Sequence, residues 1–318
     1  MEKILFIVPH LSTGGMPQFV LKQIEMFKEK YEIYLIEWEN VTGGVYVVQR
    51  NLIIEILGDR FFTLDHEKSK MLDIIKEIKP SVLHFHEVPE NFIDDIKLKK
   101  IYSNEREYFI VVTTHSSSTI PSNFNYIADR YILVSEWSKD IFVEYFGNST
   151  SCEVWEYPID IIDYDKESAK IEMGWDDEKT HVLNVGLFTK GKNQGEVFEL
   201  AKILGDDFVF HFVGNQAINF KDYWGPLMDN IPKNCIIHGE RNDVDKFYKA
   251  ADIFYFTSNY ELSPLAVKES LSYGLPTFIK RLHTYKDMYD GKVTYITGNM
   301  EIDKKNLIQS IGYKNQII

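Results

Sequence analysis

The stretch 260–276 reads YELSPLAVKESLSYGLP and carries two glutamates, Glu261 and Glu269, eight positions apart. Pro264 opens an apolar run between them, and a Gly-Leu-Pro sequence ends the segment. Proline is accepted at the first position of a helix, and a glycine followed by a proline commonly ends one. The stretch therefore predicts a loop that leads into a short helix.

Strand-like runs flank this segment, DIFYFT at 252–257 before it and TFI at 277–279 after it. This order places Glu261 in the loop at the carboxyl end of a strand and Glu269 inside the helix. In open α/β sheets, ligands bind at that edge. The segment is therefore the first candidate for a ligand-binding site.

The chain opens with the same kind of arrangement. Residues 3–8 (KILFIV) form a continuous apolar run, which is typical of a parallel strand buried on both faces. The loop PHLSTGG follows, and the apolar residues of 16–27 then recur at helical spacing. A glycine loop between strand and helix can bring backbone N–H groups to a phosphate.

The second half repeats this order, with a strand at 181–185, the loop GLFTKGK and a helix at 194–204. A chain of 318 residues has room for two domains of ordinary size. The repeat predicts an α/β protein with two Rossmann-like, doubly wound domains facing a cleft. We expect the first domain at 1–159 and the second at 160–318.

Three further local predictions follow from the apolar pattern. Leu52 to Leu57 is predicted as a strand, and Val41 to Val48 as a small hairpin around a Gly-Gly pair. Residues 160–177 are charged and lack a strand signal, which indicates a link between the domains with a short helix at 166–173.

Composition excludes several classes of protein. The net charge of −13 disfavours nucleic acid and anionic lipid as main partners. Two cysteines, Cys152 and Cys235, are too few for a disulfide framework and are expected as buried free thiols. No run approaches the ~18 apolar residues of a membrane span, and the apolar run at the amino end is too short for a signal peptide. A soluble, cytoplasmic protein is expected.

The spacing of the two glutamates is weak evidence by itself, because it also fits a solvated helix face. Their setting is more informative. A helix that starts near Pro264 offers the free N–H groups of Ser263, Leu265 and Ala266 and the positive end of its dipole, which suit a diphosphate. Carboxylates beside a diphosphate would repel it, so both glutamates are interpreted as acceptors for sugar hydroxyls.

Cationic candidates lie in two other loops. Lys190 and Lys192 follow a buried strand, where an ammonium group can offset phosphate charge. Arg241 follows the strand-like residues 236–237 and could contact a nucleobase or a phosphate. Solvated lysines and a surface salt bridge are the alternatives.

His84, His86 and His115 lie at the carboxyl ends of two predicted strands. Three histidines suggest zinc, but no acidic ligand is spaced with them and the pattern does not show that they converge. A single histidine that hydrogen-bonds sugar or acceptor is the preferred interpretation, with structural histidines as the alternative. No metal and no cofactor are expected.

Together these segments resemble the retaining glycosyltransferases of the group-one type (glycosyltransferase family four-like), which have the GT-B architecture. The resemblance rests on segments in the family's order: PHLSTGG, VVTTHSSS, NVGLFTKGKNQ, CIIHGERNDVDKFYKAADIF and YELSPLAVKESLSYGLP. It implies a metal-independent hexosyltransferase that uses a nucleotide-sugar donor, UDP- or GDP-linked, and retains anomeric configuration. It also implies that the domain at 1–159 is the acceptor-side domain and the domain at 160–318 the nucleotide-sugar-binding domain.

The resemblance also implies roles for individual residues. It places Glu261 by the donor sugar, Glu269 on the ribose and His115 near sugar and acceptor. Lys192 would stabilise the leaving diphosphate. The implied catalytic residues are His115, Lys192 and Glu261, and the implied donor-binding residues are Gly15, Lys190, Lys192, Arg241, Glu261, Ser263, Pro264, Leu265 and Glu269.

The sequence departs from the family pattern at two places. Leu187 stands where the family often has an arginine after the loop glycine, which leaves Lys190 as a substitute cation. Leu262-Ser263 stands where the family usually has Gly-Phe. A non-catalytic nucleotide- or sugar-binding protein and a sugar epimerase or phosphorylase on the same architecture therefore stay open. The acceptor, whether carbohydrate, lipid-linked or protein, is not indicated; the loops 41–48 and 116–125 are expected to select it.

Overall fold

The computed structural model describes residues 1–12, 14–42, 47–115, 126–148, 150–157, 161–176 and 178–312. The chain divides into two compact units, Met1–Tyr157 and Pro158–Ile318. Each unit has its own parallel sheet with helices, so the prediction of two Rossmann-like α/β domains is confirmed.

The sheet of the first unit has seven strands in the order β3-β2-β1-β4-β5-β6-β7, and all their pairings are parallel. The strands are β1 (Lys3–Val8), β2 (Glu32–Glu37), β3 (Phe61–Thr63), β4 (Val82–His86), β5 (Phe109–Thr114), β6 (Arg130–Leu133) and β7 (Cys152–Val154). The helices are α1 (Gly15–Phe27), α2 (Val48–Leu57), α3 (Met71–Ile78), α4 (Asp95–Ile101) and α5 (Glu136–Phe146).

Strand β1 explains why its sequence is continuously apolar. Leu5 and Ile7 belong to the hydrophobic cluster on one face of the sheet, and Phe6 and Val8 belong to the cluster on the other. All four side chains are at most 1% exposed. Because helices cover both faces, neither set of alternating side chains meets water.

The prediction of a strand at Leu52 to Leu57 is wrong, because these residues lie in helix α2. Ile53 and Leu57, four positions apart, are the buried residues of that helix, and Gly58 follows with φ 54°. A helix-spaced apolar face and a glycine end were therefore present, but a short apolar run does not distinguish the two structures. Of the hairpin predicted at 41–48, residues 43–46 lie outside the described residues and Val48 begins α2.

The sheet of the second unit has six strands in the order β10-β9-β8-β11-β12-β13, again all parallel. The strands are β8 (Thr180–Val185), β9 (Phe208–Val213), β10 (Cys235–Gly239), β11 (Ile253–Phe256), β12 (Thr277–Lys280) and β13 (Thr294–Ile296). The helices are α6 (Lys166–Met173), α7 (Gln194–Leu204), α8 (Lys221–Met228), α9 (Val244–Ala250), α10 (Leu265–Ser272) and α11 (Met300–Gly312).

The charged segment that precedes this sheet is packed against the second unit. Lys166 and Lys170 of α6 form ion pairs with Asp252, at 2.5 Å and 3.1 Å. The backbone N–H of Ile162 donates to the carbonyl of Ser272 at 2.9 Å. Helix α6 is therefore a part of this unit, and it spans the residues 166–173 at which the sequence predicted a short helix.

In the part of the chain that the structure describes, no helix is both long enough and apolar enough to cross a membrane.

Candidate functional site

Two loops of the second unit meet at the carboxyl edge of its sheet. One loop joins β8 to α7 and the other joins β11 to α10, and β8 and β11 are neighbouring parallel strands. The Thr257 hydroxyl donates to the carbonyl of Asn193 at 2.8 Å, and the Asn259 N–H donates to the carbonyl of Gly191 at 2.8 Å. These bonds hold the loop 186–192 (GLFTKGK), called the Gly/Lys loop below, against the loop that carries Glu261.

Lys192 and Glu261 form an ion pair across these two loops, between Nζ and Oε1. The lysine side chain is 29% exposed and the glutamate side chain 12%, so much of the pair is withdrawn from water. The ammonium group also lies 5.2 Å from the centre of the Phe256 ring, within the range of a cation–π contact. The structure therefore brings together two residues that the sequence predicted as site residues.

The backbone around Glu261 is held by a further residue that the sequence did not suggest. The Thr284 hydroxyl donates to the Glu261 carbonyl at 2.5 Å. Burial first, and the Glu261 carboxylate second, raise the pKa of Tyr260 and that of Tyr285. Both phenols thus remain protonated at neutral pH and can serve as hydrogen-bond donors beside the carboxylate.

Helix α10 begins at Leu265, one residue after Pro264, whose φ of −66° and ψ of 116° place it at the cap position. Glu269 lies in this helix and accepts a hydrogen bond from the Tyr248 hydroxyl at 2.9 Å. The same hydroxyl lies 3.1 Å from the Ala266 carbonyl. Glu261 therefore precedes the helix and Glu269 lies inside it, as the sequence predicted.

Tyr248 is a positioning residue that the sequence did not reveal. It is 2% exposed, and its ring stacks on Tyr273 with centroids 5.4 Å apart and planes at 3°. Burial first, and the Glu269 carboxylate second, raise its pKa well above the ordinary value. The hydroxyl is therefore protonated at neutral pH and donates to one oxygen of Glu269.

Two glycines bring the ends of β8 and β9 into backbone contact. A Cβ atom at Gly214 would lie 2.0 Å from the carbonyl oxygen of Gly186. The Gly186 N–H donates to Val213 at 2.9 Å, and the Gly214 N–H donates to Gly239 at 2.8 Å. Gly214 is thus required by close approach, a reason that the local sequence FVGN does not reveal.

The other cationic candidates are placed differently from Lys192. Lys190 is exposed in the Gly/Lys loop. Arg241 makes two hydrogen bonds with the carboxylate of Asp243, from Nε at 2.8 Å and from Nη2 at 2.7 Å. Its guanidinium carbon lies 5.8 Å from the centre of the Phe247 ring.

In the first unit, Gly15 is the first residue of α1 and is exposed. The preceding loop is anchored by Glu37, which is fully buried and accepts from the Leu11 N–H at 3.0 Å. Arg50 pairs with the same carboxylate at 2.8 Å. This buried pair fixes the chain just before the glycine loop, and the sequence had not singled it out.

His84, His86 and His115 of the first unit lie together. His84 stacks on His86 with centroids 4.4 Å apart, and His86 stacks on His115 at 5.5 Å. His86 Nδ1 lies 3.3 Å from His115 Nε2, and His84 Nε2 lies 2.7 Å from the Thr113 hydroxyl. The convergence that the sequence could not show is therefore present.

All three rings are neutral at physiological pH. Burial lowers the pKa of His84 and that of His115 to about 3, and burial lowers the pKa of His86 well below its usual value. In the described ranges, no group of three His, Cys, Asp or Glu side chains could hold a metal ion. Independence from metal stays a prediction.

Gly15 and His115 belong to the first unit, whereas Lys192, Arg241, Glu261 and Glu269 belong to the second. The prediction that both sets face one cleft stays a prediction.

Comparisons with known proteins agree with this fold. Residues 165–308 match the family model "Glycosyl transferases group 1". Alpha-galactosylglucosyldiacylglycerol synthase of Streptococcus pneumoniae is 24% identical over 312 residues, covering 88% of this chain and 80% of the relative. UDP-Gal:alpha-D-GlcNAc-diphosphoundecaprenol alpha-1,3-galactosyltransferase of Escherichia coli is 33% identical over 117 residues, covering 34% and 30%.

The crystal structure of HepE from Anabaena, in complex with UDP and glucose, superimposes with a TM-score of 0.77 at 15% identity. The superposition covers 99% of this chain and 91% of HepE. The curated relatives are glycosyltransferases and not epimerases. This finding removes the sugar epimerase, one of the alternatives that the sequence left open. The family match over residues 165–308 and the glycosyltransferase relatives support a group-one glycosyltransferase, and the chain has the two Rossmann-like domains of the GT-B fold.

Proposed function

We propose that this enzyme transfers a hexose from a UDP-sugar to an acceptor hydroxyl, with retention of anomeric configuration and without a metal ion. The observation that carries the proposal is the ion pair between Lys192 of the β8–α7 loop and Glu261, which lies in the loop just before the N-terminus of α10. A cation, a helix dipole and a carboxylate in one place suit a donor with an anionic diphosphate and a hydroxylated sugar.

Lys192 is the catalytic cation in this proposal. The bond between the anomeric carbon and the diphosphate oxygen breaks, and its electron pair leaves on that oxygen. The acceptor oxygen forms the new bond, and its proton leaves with the diphosphate. Lys192 and the first N–H groups of α10, beside Ser263, Pro264 and Leu265, stabilise the negative charge that develops.

The two glutamates hold the neutral parts of the donor. Glu261 accepts from a sugar hydroxyl, and Glu269, oriented by Tyr248, accepts from the ribose hydroxyls. Arrival of the diphosphate gives Lys192 a second anionic partner and releases part of the Glu261 carboxylate for the sugar. Lys190 and Arg241 are peripheral donor contacts in this proposal.

The first unit supplies Gly15 and His115, with the acceptor-side domain at 1–159 and the donor domain at 160–318. His115 is neutral, because burial lowers its pKa to about 3, so it contributes a hydrogen bond and no charge. Gly15 has no side chain to keep the backbone of the loop away from the donor.

The choice of UDP is supported by the relatives. HepE has been solved with UDP and with UDP-glucose, and the E. coli relative is named for UDP-Gal. The names of the two curated relatives contain diacylglycerol and diphosphoundecaprenol. Lipid-linked sugars are therefore the first acceptor class to test. The cytoplasmic location stays a prediction.

A thermal-shift screen against UDP-, GDP-, ADP- and CMP-linked sugars tests the donor. A ligand at 100 times its dissociation constant adds about 2.7 kcal/mol to the free energy of unfolding. We expect the largest shift with a UDP-sugar, followed by UDP release in the presence of acceptor. A folded enzyme that no nucleotide sugar stabilises contradicts the proposal, and product NMR decides between retention and inversion.

A further inference from the structure

A second group of histidines crosses the sheet of the donor unit. His181 of β8, His211 of β9 and His238 of β10 are joined by ring-nitrogen contacts. His181 Nδ1 lies 2.9 Å from His211 Nε2, and His211 Nδ1 lies 3.0 Å from His238 Nε2. At the other end, His181 Nε2 lies 2.8 Å from the backbone carbonyl oxygen of Asp176. The three rings thus form one continuous hydrogen-bonded chain.

The carbonyl of Asp176 gives this chain a direction. A carbonyl oxygen can only accept, so the proton of neutral His181 lies on Nε2 and its Nδ1 must accept from His211. The same logic passes to the next ring, so His211 accepts on Nδ1 from the Nε2–H of His238. The proton of His238 is therefore held on Nε2, and its Nδ1 is a bare acceptor.

The surroundings keep the chain neutral. Trp175 stacks on His211 with centroids 3.9 Å apart and on His181 at 4.6 Å. Burial first, and the neighbouring histidines second, lower the pKa of His211 to about 2. Burial first, and then Arg241, lower the pKa of His238. A neutral His238 retains the acceptor on Nδ1 at physiological pH.

His238 lies at the edge of the sheet where the candidate site is. It immediately precedes Gly239, whose carbonyl accepts from Gly214, and Gly214 touches Gly186 at the start of the Lys192 loop. The His238 ring is half-buried and packs edge-on against Phe247 at 4.7 Å. The Arg241 guanidinium carbon lies 5.8 Å from the centre of the Phe247 ring, so an aromatic ring and a planar cation lie close to the His238 ring.

We propose that His238 is a specificity-determining residue of the donor site, and that its Nδ1 accepts the imide N–H of the donor's nucleobase. This inference rests on the proposed function. A sugar hydroxyl can both donate and accept, so it could pair with His238 Nδ1 whether or not that nitrogen carried a proton. A nucleobase has donors and acceptors in fixed positions and cannot adapt in this way. Uracil and guanine carry an N–H on this edge. Cytosine and adenine present a lone pair there, which would face the lone pair of His238.

The test is nucleotide binding by calorimetry with the full chain and UDP, CDP, GDP and ADP. UDP and CDP are matched in size and differ in the hydrogen-bonding edge of the base. The ratio of their dissociation constants therefore measures the effect of that edge. A site built around a hydrogen bond rejects a ligand that leaves it unpaired, and we expect UDP to bind at least about tenfold more tightly than CDP. GDP against ADP shows whether a guanine N–H is accepted as well. Equal affinities for UDP and CDP overturn the inference.

Two variants separate His238 from the chain behind it. His238→Phe keeps an aromatic ring beside Phe247 and removes the acceptor, so the preference for UDP over CDP should fall to about twofold or less. His211→Phe keeps a ring on Trp175 but breaks the chain, so His238 is free to take either state and the preference should fall partway. Ile236→Val, at an exposed position of the same strand, is the matched control and should keep the full preference. If His211→Phe keeps the full preference for UDP over CDP, the histidine chain does not fix the proton of His238, and its proposed role is contradicted.

Nitrogen-15 NMR of the histidines in the nucleotide-free chain gives an answer that does not depend on binding or on folded variants. The three rings should all carry their proton on Nε2. A proton on Nδ1 of His238 overturns the inference. An enzyme that transfers sugar but binds UDP and CDP equally refutes this inference alone, whereas one that binds no nucleotide refutes the proposed function as well.

Discussion

The ammonium group of Lys192 and the carboxylate of Glu261 form an ion pair although 69 positions separate them in the chain. Each residue follows a strand of the same sheet, and those strands, β8 and β11, are direct neighbours. Without a donor, each group satisfies the charge of the other in a partly desolvated position. In the proposed function, the same two groups bind the donor, Lys192 at its diphosphate and Glu261 at a sugar hydroxyl.

Removal of the Lys192 charge should affect the chemistry more than the fold. We expect Lys192→Met to lower kcat/KM for the UDP-sugar by about 10²- to 10³-fold, the usual loss when one transition-state donor is removed. Lys202→Ala is the matched control, because that lysine forms an exposed pair with Glu199 on α7. Steady-state kinetics measure the loss of activity, and melting temperatures show whether the variant keeps its fold. A folded Lys192→Met enzyme with normal transfer would remove the assigned role.

Loss of the Tyr248 hydroxyl should weaken donor binding through Glu269. In Tyr248→Phe the ring still stacks on Tyr273, but the bond to the carboxylate is lost. One hydrogen bond contributes about 1 kcal/mol, so KM for the donor should rise roughly fivefold with little change in kcat. Glu269→Ala should raise it further. If Tyr248→Phe alters kcat alone, Tyr248 does not act through the ribose contact.

His115→Ala should lower turnover more than donor affinity, because the proposed contact is to the reacting sugar and acceptor. Because the His115 ring is already neutral, it should not contribute an apparent pKa near 6.5 to the pH dependence of kcat. The pH–rate profiles of the wild type and the variant should therefore have the same shape near pH 6.5. Calorimetric donor affinity and a pH–rate profile are the measurements. Equal losses of turnover and affinity would indicate a binding role only.

The buried histidines should make the fold sensitive to acid. Burial lowers the pKa of His84 and His115 to about 3 and, with the neighbouring histidines, that of His211 to about 2, against 6.5 in an unfolded chain. Between these values the unfolded chain binds more protons than the folded one, so stability is lost as pH falls below about 6.5. Each such histidine lowers the free energy of unfolding by at most about 1.4 kcal/mol per pH unit in this range.

Melting temperatures between pH 7 and pH 4.5 test this dependence. His84→Gln keeps a hydrogen-bonding group near Thr113 but does not titrate in this range, so its melting temperature should fall less steeply with acid than that of the wild type. Parallel curves for the two proteins would show that His84 is not responsible.

A methyl group at Gly214 should be poorly tolerated, because its Cβ would lie 2.0 Å from the Gly186 carbonyl oxygen. Backbone cannot move aside as a flexible side chain can, so we expect Gly214→Ala to lose about 1–3 kcal/mol of stability. Gly225→Ala in α8 is the control, since the nearest atom to its new methyl is a lysine side-chain carbon at 3.8 Å. Equal melting temperatures for the two variants would show that the contact is relaxed in solution.

The placement of Glu261 and Glu269 was predictable from local sequence. Loop, capping proline, apolar face and closing glycine all lie within a few residues of one another, and each limits the backbone at its own position. The error at Leu52 to Leu57 has the same origin. Six apolar-rich residues fit a strand or a helix, and only packing of Ile53 and Leu57 into the core selects the helix.

The sequence by itself determined the two strand–loop–helix openings, the resemblance to group-one glycosyltransferases and the residue types at the candidate site. Only the tertiary structure decided which of those residues meet. The Lys192–Glu261 pair, the Tyr248–Glu269 bond, the Gly186–Gly214 contact and both histidine clusters join residues brought together by the order of parallel strands. That order results from burying apolar faces throughout each unit, and no local pattern encodes it.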